Sequence, residues 1–69
     1  MIDYTPLWET MQAKKVSQYY LLKNGIDNKT LDQLKKNKNI TLLTLEKLCR
    51  ILKCTPNDIV QFANEDEFE

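Results

Sequence analysis

Amide and ammonium side chains are concentrated between residues 28 and 39. Asn28, Lys29 and Gln33 share this stretch with Leu31 and Leu34, which are spaced like the buried positions of a helix. On the outer face of such a helix, an amide can pair with adenine and a lysine can donate to guanine in a major groove. Lysines and asparagines continue to residue 39, where they can meet phosphates. The alternative interpretation is a helix face that is merely solvated.

The sequence offers few groups for catalysis or metal binding. It contains no histidine and only two cysteines, Cys49 and Cys54. Because these cannot complete a usual zinc site, we interpret them as small buried apolar groups. No paired carboxylates fall on one inward helix face, and 69 residues leave little volume for a substrate cavity. We therefore expect no enzyme, no metal site and no cofactor.

The charges are divided along the chain although the formal net charge is zero. Residues 10–53 hold all ten basic residues against three acidic ones, which gives this part a net charge of +7. Most of the remaining acidic residues follow residue 54, and the last six letters are NEDEFE. A basic body favours a polyanionic partner. The acidic tail at 64–69 is interpreted as solubilising, with folding back over the basic face as the alternative.

Apolar residues recur at helical spacing, which predicts an all-α chain of five short helices without strands. The first helix is expected to begin at Thr5, with Pro6 at the first helical position, where its missing N–H costs nothing. Ser17 is expected to cap the second helix, which ends near residue 23, before Gly25 turns the chain in a left-handed conformation. Caps at Asp27, Thr41 and Thr55 predict helices at 28–36, 42–53 and 56–63.

The same spacing assigns the core and the domain boundaries. We expect one domain at residues 1–63, followed by the acidic tail. No apolar run approaches the roughly 18 residues of a membrane span, and the N-terminus lacks a signal-peptide pattern, so a cytoplasmic location is expected. The predicted inward residues are Leu7, Trp8, Met11, Tyr20, Leu21, Leu31, Leu34, Leu42, Leu45, Leu48, Cys49 and Leu52.

The segment SQYYLLKNGIDNKTLDQL, residues 17–34, resembles the helix-turn-helix of the phage lambda-type repressor and Cro family, also called the XRE family. NIT at 39–41 with Leu45 and Leu48, followed by LKCTPNDI at 52–59, is similar to that family's fourth and fifth helices. The resemblance spans residues 7–62 and implies a compact five-helix lambda repressor-like DNA-binding domain at residues 1–63. Two positions depart from the family pattern: Leu21 replaces a usual alanine, and Asn37 replaces a frequent glycine.

The resemblance also implies a role for individual residues. Residues 17–24 would cross the DNA backbone while residues 28–36 enter the major groove. Matched by position, Asn28, Lys29 and Gln33 are expected to read bases. The residues expected to contact the DNA backbone are Ser17, Gln18, Thr30, Lys36, Lys38 and Asn39, with a thymine methyl as an alternative contact for Thr30.

These roles imply a transcriptional regulator, acting as a repressor, whose partner is double-stranded DNA. One recognition helix reads only a few base pairs, so a homodimer on two half-sites is expected, formed in solution or only on DNA. Its contact is expected to use the fifth helix, Phe62 and Phe68. The alternative is a protein-interaction module on the same fold, such as an antitoxin or an antirepressor. Neither of these two functions requires a membrane or a small-molecule substrate.

Overall fold

Four α-helices and a two-stranded antiparallel sheet make up residues 1–63, the part of the chain that this computed structural model describes. The helices are α1 (Thr5–Lys14), α2 (Gln18–Lys23), α3 (Asn28–Lys35) and α4 (Leu42–Leu52), and the strands are β1 (Ile2–Asp3) and β2 (Gln61–Phe62). A 3-10 turn at Pro56–Asp58 lies between α4 and β2. The described part is mostly helical, and none of its helices is long and apolar enough to cross a membrane. The acidic tail at 64–69 lies outside the described residues.

Three helices begin at the predicted caps. In each case a side-chain oxygen accepts a hydrogen bond from a backbone N–H of the first turn, which would otherwise lack a partner. The predicted start of α1 at Thr5 is also confirmed, but Pro6 is its second residue rather than its first, because Tyr4 is the cap. The cap pairs are Ser17 with Tyr20 at 3.1 Å, Asp27 with Thr30 at 2.8 Å, and Thr41 with Thr44 at 3.1 Å.

The hydrophobic core collects at least one buried residue from every α-helix. Leu21 is fully buried between neighbouring elements, so the larger side chain at this position is accommodated in the core. Trp8, Leu45 and Cys49 are only partly buried and pack against this core. The buried residues are Tyr4, Leu7, Met11, Leu21, Ile26, Leu31, Leu34, Leu48, Leu52 and Ile59.

Two predicted core residues, Tyr20 and Leu42, are exposed instead. Tyr20 lies in the first half of the six-residue α2 and is 47% exposed, because Leu21 alone fills the buried position of that short helix. Leu42 is 82% exposed because it is the first residue of α4, beyond the part of that helix that reaches the core. Helical periodicity in the sequence identifies the inward face of a helix, but it does not show how far along that face the neighbouring element extends.

The predicted fifth helix at 56–63 is wrong and is replaced by the 3-10 turn and β2. The N–H of Ile59 donates to the Pro56 carbonyl at 2.9 Å, which closes a tight turn, and the chain then extends. In the sheet, Ile2 lies opposite Phe62 and Asp3 opposite Gln61. The Gln61 side-chain amide donates to the Asp3 carboxylate at 2.8 Å. Long-range pairing therefore outweighs the local helical pattern, and the expectation of no strands is also wrong.

Gly25 ends α2 with a φ of +106°, as predicted for a left-handed turn. An added Cβ would meet only the Lys47 side chain, at 3.6 Å, so substitution creates backbone strain rather than a clash. We expect Gly25→Ala to lower the free energy of unfolding by more than about 1 kcal/mol in urea denaturation. Glu9→Ala, at an exposed position of α1, is the control and should change it by less than about 0.5 kcal/mol. If both variants were equally stable, the expected backbone strain in Gly25→Ala would be contradicted.

Candidate nucleic-acid interface

The outer face of α3 presents amide and ammonium groups because Leu31 and Leu34 bury its inner face. Asn28 and Lys29 are exposed, and Gln33 is half-buried. Within residues 1–63, the side chains of these three residues make no hydrogen bond or ion pair with the protein. Unengaged donors and acceptors on a rigid helix can bind an external partner without first breaking internal bonds.

A surface concavity of about 370 Å³ lies between α3 and the beginning of α4. It brings together four of the predicted contact residues: Lys29, Thr30, Gln33 and Asn39. The other five predicted residues do not line it: Asn28, Ser17, Gln18, Lys36 and Lys38.

The sequence analysis assigned no contact role to Ile40 or to two polar residues that line this concavity, Thr41 and Thr44. Thr41 was assigned only as a helix cap, and its hydroxyl donates to the Thr44 hydroxyl at 3.0 Å. Their spacing of three residues at a helix start places both hydroxyls on one side of α4. This spacing, beside a basic loop, is the signal that could have identified them.

The turn between α2 and α3 is fixed by backbone bonds and by a charged cap. The N–H of Ile26 donates to the Leu21 carbonyl at 3.0 Å, and Lys47 donates to the Gly25 carbonyl at 3.4 Å. At the start of α3, the backbone N–H of Thr30 stabilises the Asp27 carboxylate and thereby lowers the pKa of that group. Asp27 therefore caps α3 in its ionised form, and the angle between the two helices is held from both sides.

Ser17 and Gln18 lie at the beginning of α2, and both are exposed. The Ser17 hydroxyl oxygen accepts from the Tyr20 N–H, but its hydrogen stays available to an acceptor such as a phosphate oxygen. Both side chains therefore leave at least one polar group for an external contact.

The segment after α3 carries the predicted backbone-contacting Lys36, Lys38 and Asn39, all of them exposed. Lys36 forms an ion pair with Asp32 at 3.2 Å, in which both side chains are 59% exposed. Such an exposed pair contributes only about 0–1 kcal/mol, so a phosphate can replace the carboxylate at little cost. All three side chains can thus reach an anionic partner.

Cys49 and Cys54 are free thiols and half-buried. Burial raises the pKa of both thiols, which favours their protonated form. This agrees with their interpretation as apolar packing groups. Within residues 1–63, no three histidine, cysteine or acidic side chains are placed to hold a metal ion.

The fold and the outward-facing α3 define a helix-turn-helix protein. The chain belongs to the family of Cro/C1-type HTH DNA-binding domains, and the match to that family covers residues 6–65. It is therefore a DNA-binding regulator. Among solved structures it is similar to the transcriptional regulator VanUg, Form II, with 28% identity and a TM-score of 0.85. That match covers 93% of this chain and 87% of the other. No curated protein matches the chain.

Proposed function

We propose that this chain is a sequence-specific transcriptional repressor that reads the major groove with α3. The observation that carries the proposal is the unengaged set of Asn28, Lys29 and Gln33 on the outer face of that helix. Their amide and ammonium groups match the acceptors and donors on adenine and guanine edges. Occupancy of an operator needs neither catalysis nor a cofactor, and the cytoplasm is the proposed location.

Backbone contacts orient the reading helix on the duplex. Ser17 and Gln18 would meet one phosphate strand from the start of α2, and the residues after α3 would meet the other strand. Thr30 and Asn39 line the concavity beside the reading residues, where the sugar-phosphate chain would pass. The proposed backbone-contacting residues are Ser17, Gln18, Thr30, Lys36, Lys38 and Asn39.

Selection of bound fragments from random DNA will give the preferred site on which the reading role of Gln33 is measured. We expect Gln33→Ala to lose about 1–3 kcal/mol of binding free energy on this site, which is roughly 5- to 150-fold in affinity. Binding to unrelated sequences should change little, because Gln33 is proposed to contact bases rather than phosphates. Gln12→Ala is the matched control, since Gln12 is an exposed glutamine on α1. If Gln33→Ala binds every sequence as its parent does, Gln33 is not a reading residue.

A homodimer is part of the proposal, and an exposed apolar groove supports it. The apolar groove, about 190 Å³ in volume, is lined by Ile2, Tyr4, Ile40, Thr41, Leu42, Leu45, Val60 and Phe62. Leu42 is 82% exposed and Phe62 is 71% exposed, which is unfavourable for large apolar side chains in a monomer. Ile40 and Thr41 also line the concavity beside α3, so a second copy in the groove would lie next to the DNA.

The proposed contact differs from the one expected from the sequence. The fifth helix is absent from residues 1–63, and we propose that β2 and the start of α4 form the interface instead. Phe62, which lies exposed on β2, is proposed to contribute to this interface, as expected from the sequence. Phe68 lies outside the described residues. An isologous contact of this kind would place two α3 helices on adjacent half-sites.

The same apolar groove favours a second candidate function, that of a protein-interaction module such as an antitoxin or an antirepressor. Salt dependence separates the two functions. A DNA-binding regulator should lose affinity for duplex DNA with a log-log salt slope of about 0.9 per phosphate contacted. If the affinity of this protein for duplex DNA does not depend on salt, and is no higher than that of an unrelated protein without a DNA-binding domain, the second function is supported.

A further inference from the structure

Tyr4 links the N-terminal strand to the segment that follows α3. Its hydroxyl donates to the Lys38 carbonyl at 2.7 Å, and its backbone N–H donates to the Asn37 side-chain oxygen at 3.0 Å. Tyr4 is 1% exposed, whereas Asn37 and Lys38 are exposed, so both bonds are partly shielded from water. We call these two bonds the Tyr4 clamp. They join residues that lie more than thirty positions apart in the sequence.

Asn37 has a backbone conformation that suits this clamp. Its φ of +56° lies in the left-handed region, which asparagine adopts more readily than most residues. A glycine would adopt the same turn but would offer no side-chain oxygen to the Tyr4 N–H. The asparagine therefore provides both the turn and the acceptor, which explains why it can replace the frequent glycine.

Two hydrogen bonds fix the backbone of Lys38, one from its N–H and one to its carbonyl. Its N–H donates to the Gln33 carbonyl at 2.8 Å, and its carbonyl accepts from Tyr4. Its side chain stays exposed, as does that of Asn39. The backbone is thus fixed while the two polar side chains point away from the core, next to the concavity that Asn39 lines.

We propose that Tyr4 is a positioning residue for DNA-backbone binding, acting through Lys38 and Asn39. The role rests on the proposed function. A segment that is already ordered loses less conformational freedom when it grips a phosphate, so the clamp raises affinity without touching DNA. Because phosphate contacts carry no sequence information, the effect is equal on preferred and unrelated sequences.

The position of β1 keeps Tyr4 in place. β1 directly precedes Tyr4 and is paired with β2, and the Asp3 carboxylate also accepts from the Thr5 N–H at 3.0 Å. Tyr4 therefore has a fixed residue on each side. Tyr4 also lines the apolar groove, which is the proposed dimer surface. The same residue therefore contacts both that surface and the segment after α3 that is proposed to bind the DNA backbone.

Tyr4→Phe tests the role because it removes the hydroxyl and keeps the ring in the core. Binding to a random-sequence duplex and to the duplex selected from random DNA should weaken by roughly 2- to 10-fold, the value of one hydrogen bond. The log-log salt slope should become shallower by up to about 0.9, the value for complete loss of one phosphate contact, because a less ordered segment forms the Lys38 contact less often. Asn37→Gly, which keeps the left-handed turn but removes the acceptor, should act in the same direction.

Thr10→Val is the matched control. The Thr10 hydroxyl donates to the Asp58 carbonyl at 2.8 Å, so this variant loses an equivalent bond away from α3. It should lose stability as Tyr4→Phe does, yet bind both duplexes with the affinity and salt slope of the parent. Binding is measured under conditions in which urea denaturation experiments have shown each variant to be fully folded.

The outcomes separate this role from the proposed function. Parental affinity and salt slope in Tyr4→Phe, with a parent that binds duplex DNA normally, would overturn the positioning role alone. An equal loss of affinity in Thr10→Val would also overturn it, because the effect would then be a general consequence of lower stability. A parent that binds neither duplex would overturn the proposed function, and the positioning role with it.

Discussion

Leu48→Ala is expected to lower the free energy of unfolding by about 2–5 kcal/mol. Leu48 is fully buried in α4, where truncation removes apolar contacts and leaves a cavity that the surrounding helices cannot fill. A domain of this size has a total stability of only about 3–5 kcal/mol, so the variant should be largely unfolded. Far-UV circular dichroism during urea denaturation measures the loss.

Leu43→Ala provides the control within the same helix. Leu43 is 71% exposed, so its truncation should change the free energy of unfolding by less than about 0.5 kcal/mol. A stable Leu48→Ala variant, or a similar loss in both variants, would contradict the burial of Leu48 in the core.

Leu42→Ser is expected to abolish pairing of two copies on adjacent half-sites. Burying one leucine side chain contributes about 1.5–3 kcal/mol. An isologous contact contains the residue twice, so the variant should lose about 3–6 kcal/mol of dimerisation free energy. Serine carries no charge, so it does not repel phosphates near the start of α4. Sedimentation velocity with and without DNA, and mobility shifts on paired and single half-sites, measure the effect.

Leu43→Ser is the matched control, because Leu43 is the exposed neighbour that does not line the apolar groove. It should associate as the parent does. Binding of Leu42→Ser to a single half-site should equal that of the parent, since the groove is proposed to contact protein rather than DNA. Unchanged pairing of Leu42→Ser on the paired site would contradict the proposed dimer surface.

Local signals predicted much of the helical framework. A cap acts within one turn, so Ser17, Asp27 and Thr41 could be identified from spacing alone, and each accepts the expected N–H. Gly25 was equally predictable because few other residues adopt its φ without strain. At these four positions the determinant lies within a few residues and no long-range pairing overrides it, whereas at Thr55 the pairing of β2 with β1 does.

Long-range pairing explains what the sequence could not predict. β1 and β2 have two residues each, too few to show an alternating pattern, and their stability comes from each other. Tyr4 was not assigned to the core because its partners, Asn37 and Lys38, are remote in the chain. The same reason applies to Leu42, whose exposure depends on where the neighbouring elements end.

The candidate site was predictable in type and less so in extent. Two buried leucines define the inner face of α3, so the outer position of Asn28, Lys29 and Gln33 followed from spacing. Thr44 was missed because its place in the concavity depends on how α4 packs beside α3. The base-reading and backbone-contacting roles stay predictions until binding is measured.

The pairing of β1 with β2 has a consequence for the order of events during synthesis. The ribosome releases Tyr4 early, but Gln61 and Phe62, which hold the strand beside it, emerge last among the described elements. A nascent chain that already contains α3 therefore still lacks the support for the segment after it. We therefore expect the segment after α3 to reach its full affinity for the DNA backbone only when translation has passed β2.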